Sequence, residues 1–253
     1  MSGSRNGGNR RERGLALVVV LWAAVILTLM AAGVSRLSRD DVAQTRALEA
    51  RLRADLAAES GIAAALHGLA QGAWEVGEAA RRISLDEAEA IVTVTDEAGR
   101  IDLNTADPRL FEALLLGVGA ADGAARSAAR RVADAQEQAR AREDGPPAFG
   151  IVEEVLAFPE IEDAIFTRIE EALTVHTGAP APVAEVAPAI VREALAVQGP
   201  LAGFVGGEGE VVRILSEART DAGAVSALRA VVMLREASGV QTLFWGAVRP
   251  RFF

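Results

Sequence analysis

The hydrophobic pattern of the chain is dominated by one apolar run. It extends from Leu15 to Val34 and contains Thr28 as its one polar side chain. As an α-helix, about 20 residues measure roughly 30 Å, the thickness of the hydrocarbon core of a bilayer. Four arginines and one glutamate precede the run. Because basic flanks stay in the cytoplasm, the pattern predicts a single-pass membrane helix with most of the chain on the opposite side of the membrane.

The sequence after this run predicts that the helix continues. No proline interrupts the chain before Gly72, which we interpret as the helix end. Apolar residues recur there at three-to-four spacing, at Leu48, Leu52, Leu56, Ile62, Leu66 and Leu69. This spacing is typical of an amphipathic helix. We therefore expect one helix of about 50 residues, whose apolar face from Leu48 to Leu69 packs against a globular body.

Beyond Gly72 the pattern changes to that of strands. Glu89–Thr95 alternates and is rich in β-branched residues, and a turn at 96–99 leads into Arg100–Leu103, which predicts a hairpin. Strand signals return near the C-terminus, at Val211–Leu215, Ala230–Leu234 and Val240–Val248. The two β regions are therefore separated in sequence by about 100 residues that lack the strand pattern.

The intervening block has the pattern of helices. Thr105 or Asp107 is a candidate N-cap, with Pro108 in the first turn. Further helices are predicted at 124–141, 149–156, 161–173 and 189–196. The whole pattern predicts an α+β fold, a long N-terminal helix packed on a small antiparallel sheet, with a large inserted all-α domain. The predicted division is a leader 1–14, a membrane helix 15–34, its amphipathic continuation 35–72, an αβ domain in two parts 73–103 and 201–253, and the insertion 104–200.

Composition narrows the chemistry that this chain can perform. It has 253 residues, a formal charge of -9 and no cysteine. The missing cysteines exclude disulfides, Cys-ligated metals and thiol nucleophiles. His67 and His176 have no metal-ligand spacing, and Glu153-Glu154 and Glu170-Glu171 are adjacent pairs that point about 100° apart on a helix. The sequence therefore predicts a protein without enzymatic activity.

Five sequence segments resemble one known family when taken in order. They are Arg13–Trp22, Ala57–Ile62, Gly99–Ala106, Glu153–Leu156 before Pro159, and Thr242–Trp245. Together they resemble the minor pseudopilin K family of the type II secretion system, over nearly the whole chain. The resemblance implies a pilin-like fold with an inserted helical domain, located at the tip of a short periplasmic pseudopilus. It also implies other minor pseudopilins as partners.

The resemblance further implies a processing site and an assembly face. Prepilin peptidase would cut between Gly14 and Leu15 and leave a new N-terminus open to methylation. Most pilins carry Glu at the fifth mature position, which here is Val19, and an unpartnered carboxylate is costly in lipid. We interpret Val19 as suited to a tip subunit with no neighbour ahead of it, although a plain anchor would also carry Val there. The expected assembly face in the membrane is Leu17, Leu21, Trp22, Val25 and Leu29.

A membrane-anchored DNA-binding protein is the alternative. Leu114–Gly119 and the following residues resemble a helix-hairpin-helix, whose glycine-rich turn offers amides to DNA phosphates in other proteins. The segment from Asn104 to His176, however, contains 7 Arg against 14 Asp and Glu. That acidic balance favours helix packing, so no nucleic acid is expected.

No cofactor is expected either. Asp96, Glu97, Asp102 and Asp107 would be able to collect calcium, which occurs in the broad family, but they match no ligand loop. A turn and a helix cap are the simpler interpretation of these acidic residues.

Overall fold

The computed structural model describes residues 8–142, 145–198, 210–235 and 239–251; within its first helix, the side chains of 18–30 and 42–70 are described. The chain divides into two compact units, Met1–Arg53 and Ala54–Phe253. The predicted boundary between the insertion and 201–253 lies outside the described residues, and the six-part division remains a prediction.

The long N-terminal helix is present. Helix α1 runs from Gly8 to Ala70, and Gly72, in the left-handed region at φ 67°, turns the chain directly after it. Among the side chains that are described, no helix has an apolar stretch long enough to cross a bilayer. The side chains of 15–17 and 31–34, at the two ends of the predicted span, lie outside that set.

The remaining elements follow in chain order. The strands and helices are β1 Arg81–Leu85, β2 Ala88–Asp96, β3 Ile101–Asp102, α2 Pro108–Gly117, α3 Asp122–Arg140, α4 Asp163–Ile169, β4 Leu173–Thr174, α5 Ala189–Gln198, β5 Glu210–Thr220, β6 Val225–Arg235 and β7 Gly239–Ala247. Short 3-10 helices cover Glu97–Gly99, Val152–Ala157 and Glu170–Ala172. The expected α+β fold is confirmed.

The main sheet has five strands in the order β1-β2-β5-β6-β7, all antiparallel. The predicted hairpin after β2 is wrong. β2 instead pairs with the preceding β1 across a turn at Glu87, and β3 pairs in parallel with β4. The 3-10 turn at Glu97–Gly99 redirects the chain, and a side chain at Gly99 would lie 2.4 Å from the Val186 carbonyl oxygen. This close approach requires a residue without a β-carbon at position 99.

In the second unit, the end of α1 packs on one face of this sheet through small residues. Ala57, Ala58, Gly61 and Ala65 are buried there beside one larger residue, Ile62. The predicted apolar face is wrong in its first half, because Leu48, Leu52 and Leu56 are 60%, 54% and 61% exposed. Small side chains permit the helix to approach the strands closely, which three leucines on the same face would prevent. Leu66 and Leu69 pack at the edge of this core.

Helices α2 to α5 enclose a second core. Its fully buried members include Leu110, Phe111, Leu114, Leu115, Ile169, Leu173 and Val191. Asp107, one of the two candidate caps, accepts a hydrogen bond from the Arg109 amide at the start of α2. The helix predicted from Phe149 to Pro159 is only a 3-10 helix over Val152–Ala157, since Ile151 and Phe158 on either side have extended backbone, as is favoured for Phe158 before a proline. Within the described residues, this core shares no member with the helix–sheet core.

Candidate functional site

The predicted membrane face lies on α1 in the first unit. Leu21, Trp22, Val25 and Leu29 are exposed, at 50% to 67% of their surface. Their spacing of three and four places them on one side of the helix. Val19 is also exposed, at 61%. The side chains of Gly14, Leu15 and Leu17 lie outside the described residues. Processing at Gly14 and Leu15 remains a prediction.

The most concentrated group of charges lies where the inserted helices meet the sheet. Arg213 on β5 donates to Glu97 at 2.7 Å and to the Leu173 carbonyl at 3.0 Å. Both ionic side chains are buried, at 4% and 0% exposed. Arg100 approaches the other Glu97 oxygen at 3.1 Å. Glu97 is thus held between two arginines, Arg213 on β5 and Arg100 just before β3.

These contacts change the acidity of the groups involved. Burial opposes the charge of Glu97, but Arg213 and Arg100 outweigh it and lower the pKa of this carboxyl below its ordinary value. Burial and the neighbouring Arg213 lower the pKa of Arg100 to about 10. Burial likewise opposes the charge of Arg213, yet Glu97 and Glu171 raise its pKa. All three groups are therefore charged at neutral pH.

Two further arginines bridge the same junction. Arg229 on β6 contacts Glu153 at 3.0 Å and stacks over the Phe244 ring, with 5.0 Å to the ring centroid. Arg251, after β7, pairs with Glu170 and Glu171. Three of the four glutamates that are adjacent in sequence, Glu153, Glu170 and Glu171, thus serve as partners for these two arginines.

His176 also lies at this junction, against Phe244, with ring centroids 6.4 Å apart. Burial lowers the pKa of His176, and Arg213 and Arg229 add to that shift against the opposing charges of Glu97 and Asp102. A cavity of about 10 Å³ is lined by His176, Arg213 and Arg229 among others. Its size fits one water molecule, with no room for a substrate.

The acidic residues considered for calcium have structural partners instead. Asp96 accepts from the Ala98 amide at 2.8 Å and caps the 3-10 turn. Asp102 is buried and accepts from the amides of Asn104 and Gly178, both at 2.8 Å. Its role is to tie β3 to the chain after β4. The turn and cap interpretation is confirmed for these residues.

The glycine-rich turn between α2 and α3 is built for packing. The Gly119 and Ala120 amides donate to the carbonyls of Leu116 and Leu115, at 2.9 and 3.0 Å. Val118 is buried and its carbonyl accepts from Arg168. The amides at the centre of the turn are therefore engaged within the protein. This arrangement argues against phosphate binding there.

The ionic junction was missed by sequence reasoning. A signal was present in β5, where Arg213 and Glu217 interrupt an apolar run at a spacing of four. Alternation places both on the sheet face opposite α1. Their partners lie 34 to 116 residues away in sequence, so no local pattern was able to identify them.

The sequence and the structure were compared with those of known proteins. No protein-family model and no curated protein matches the chain. Among solved structures, it is similar to a chain in the crystal structure of the GspK-GspI-GspJ complex from the type 2 secretion system of enterotoxigenic Escherichia coli. The TM-score is 0.51 at 12% identity, covering 84% of this chain and 99% of that chain. This likeness confirms the pilin-like fold and supports the resemblance carried by the sequence motifs.

Proposed function

We propose that the chain is a minor pseudopilin of the K type, a non-enzymatic subunit of the type II secretion system without a cofactor. The observation that carries this proposal is the fold, which matches 99% of a chain from a secretion pseudopilin complex. The sequence motifs from Arg13 to Trp245 support it independently, because they occur in family order.

The N-terminal part of α1 is proposed as the inner-membrane anchor. Residues 15–34 would lie in the bilayer, with the remainder in the periplasm. After removal of residues 1–14, Leu17, Leu21, Trp22, Val25 and Leu29 would contact neighbouring helices. All described side chains from Val18 to Met30 are exposed, these four included, so this stretch of α1 is available to lipid or to neighbouring helices.

The similar structure is a complex of GspK with GspI and GspJ. We propose corresponding minor pseudopilins as partners of this chain. The inserted helical region would add bulk above the sheet and prevent further subunits from joining there. Together with Val19, which cannot pair with a subunit ahead, this places the chain at the tip in our proposal.

Processing gives the first test. N-terminal sequencing of protein extracted from membranes should begin at Leu15, because prepilin peptidase would cut after Gly14. Gly14→Val should leave the leader attached and abolish secretion. Gly8→Val, in the same leader, is the control and should be processed normally. Wild-type protein that retains residues 1–14 in cells with an active peptidase would contradict the proposal.

Deletion of the insertion gives the second test. Removing 104–196 should leave a folded head, because the helix–sheet core shares no described member with the inserted core and Arg213 keeps Glu97 as a partner. Secretion should fall and pseudopili should lengthen, as seen by electron microscopy. Unchanged secretion and pilus length with a folded deletion variant would refute the capping role while leaving the fold assignment intact.

A further inference from the structure

Among the described residues, each ion pair between the sheet side and segment 153–171 has its arginine on the sheet side and its glutamate in the segment. The sheet and the segment after it supply arginines 213, 229 and 251, whereas the inserted region supplies glutamates 153, 170 and 171. Because the two cores share no described member, these ion pairs link two separately packed bodies. Opposite charges on facing surfaces resemble the arrangement at an interface between two proteins.

The segment after β7 contacts both bodies. The Val248 amide donates to the Ala227 carbonyl of β6 at 3.0 Å. Three residues later, the Arg251 amide donates to Glu217 on β5. Glu217 is fully buried, and its second carboxylate oxygen has no hydrogen-bond partner. The segment therefore crosses the sheet and anchors its backbone on a buried carboxylate.

From that anchor the Arg251 side chain reaches the inserted region at Glu170 and Glu171. These glutamates form the 3-10 helix between α4 and β4. Arg251 is 40% exposed, whereas Arg213 and Arg229 are 4% and 6% exposed. A partly exposed ion pair such as that of Arg251 separates at little cost in free energy, because both charges regain water. Separating a buried pair such as that of Arg213 costs more, because the charges stay out of water.

We propose that residues 248–251 form a latch that holds the inserted region on the sheet. With the latch closed, segment 163–174 stays against β5. With Arg251 released, this segment parts from β5 more often, while it stays packed against α2 and α3 through Phe166, Ile169 and Leu173. The latch thus sets the rigidity of the inserted region. The proposal does not depend on a role in secretion.

The test is hydrogen–deuterium exchange on the full-length protein with Arg251→Glu. The change removes two ion pairs and places a carboxylate against Glu170 and Glu171. We expect peptides from 163–174 to exchange about tenfold faster, with peptides from 108–140 unchanged. The control is Arg249→Glu in the same segment, where the native arginine is exposed; this variant should exchange like the wild type.

A charge swap completes the test. Arg251→Glu combined with Glu170→Arg recreates one pair in reverse order and should return most of the protection of 163–174. Equal exchange in the Arg251→Glu and Arg249→Glu variants would overturn the proposal. Faster exchange of 108–140 together with 163–174 would also overturn it, since that result signals global destabilisation. Failure of the swap to restore protection would overturn the pairing of Arg251 with Glu170.

Discussion

Arg213→Met is expected to lower the free energy of unfolding by about 3–5 kcal/mol, because it leaves a buried carboxylate short of its main partner. Glu97 is 0% exposed and keeps Arg100 as its ionic partner. The Leu173 carbonyl also loses its donor. Urea denaturation measures the change. Arg109→Met, at an exposed position of α2, is the control and should change stability by less than about 0.5 kcal/mol.

A double variant distinguishes two causes of the destabilisation, the loss of the attraction between Arg213 and Glu97 and the unpaired buried charge that remains on Glu97. Adding Glu97→Leu to Arg213→Met removes the orphaned carboxylate and should recover part of the lost stability. If the double variant is less stable than Arg213→Met alone, the buried charge of Glu97 is not the source of the destabilisation.

The stability of the wild type and that of the Arg213→Met variant should depend differently on pH in the acid range. In the wild type the pKa of Glu97 is lowered, so its contribution is complete above the ordinary carboxyl pKa of about 4.3 and is lost as pH falls through the lower folded value. In Arg213→Met, burial is less opposed and the pKa of Glu97 rises. Protonation removes the ion pair in the wild type and the stranded charge in the variant, so the difference in free energy of unfolding between the two proteins should narrow as pH falls below about 4.3, as measured by urea denaturation at several pH values.

Local sequence patterns were sufficient for much of the fold. The continuous helix follows from the absence of breakers up to Gly72, and the Asp107 cap with Pro108 positions α2 within one or two residues. The C-terminal strands follow from β-branched runs at Val211–Leu215 and Ala230–Leu234. These elements are determined by residues close in sequence, which is why reasoning from the chain alone identifies them.

The errors concern features that distant contacts determine. β1 contains Arg81 and Arg82 and lacks a β-branched run, so its pairing with β2 has no local signal. The junction joins Arg213 to Glu97, which lies 116 residues away. The face of α1 was misjudged because leucine spacing suggested the core, whereas Leu52 and Leu56 are exposed. Close helix–sheet packing selects small residues, and their hydrophobic signal is weak.

The clearest consequence of that close packing concerns Gly61. A β-carbon at this position would lie 2.1 Å from Ser216 Oγ and 2.9 Å from Val92 Cγ2. Both neighbours are in the buried centre of the sheet, so relief requires α1 to move. Gly61→Ala should therefore destabilise the protein by about 1–3 kcal/mol, despite the gain of about 1 kcal/mol that alanine brings to a helix. Thermal and urea unfolding measure the sign directly.

Gly123→Ala is the matched control for Gly61→Ala. Gly123 lies in the first turn of α3, and nothing lies within 4 Å of an added β-carbon. The same chemical change should there be neutral or stabilising by up to about 1 kcal/mol. Ser216→Ala removes the nearest clashing atom, a buried hydroxyl without a hydrogen-bond partner, so it should reduce the penalty of Gly61→Ala in a double-mutant cycle. If Gly61→Ala stabilises the protein as Gly123→Ala does, helix α1 does not approach the sheet as closely as these distances require.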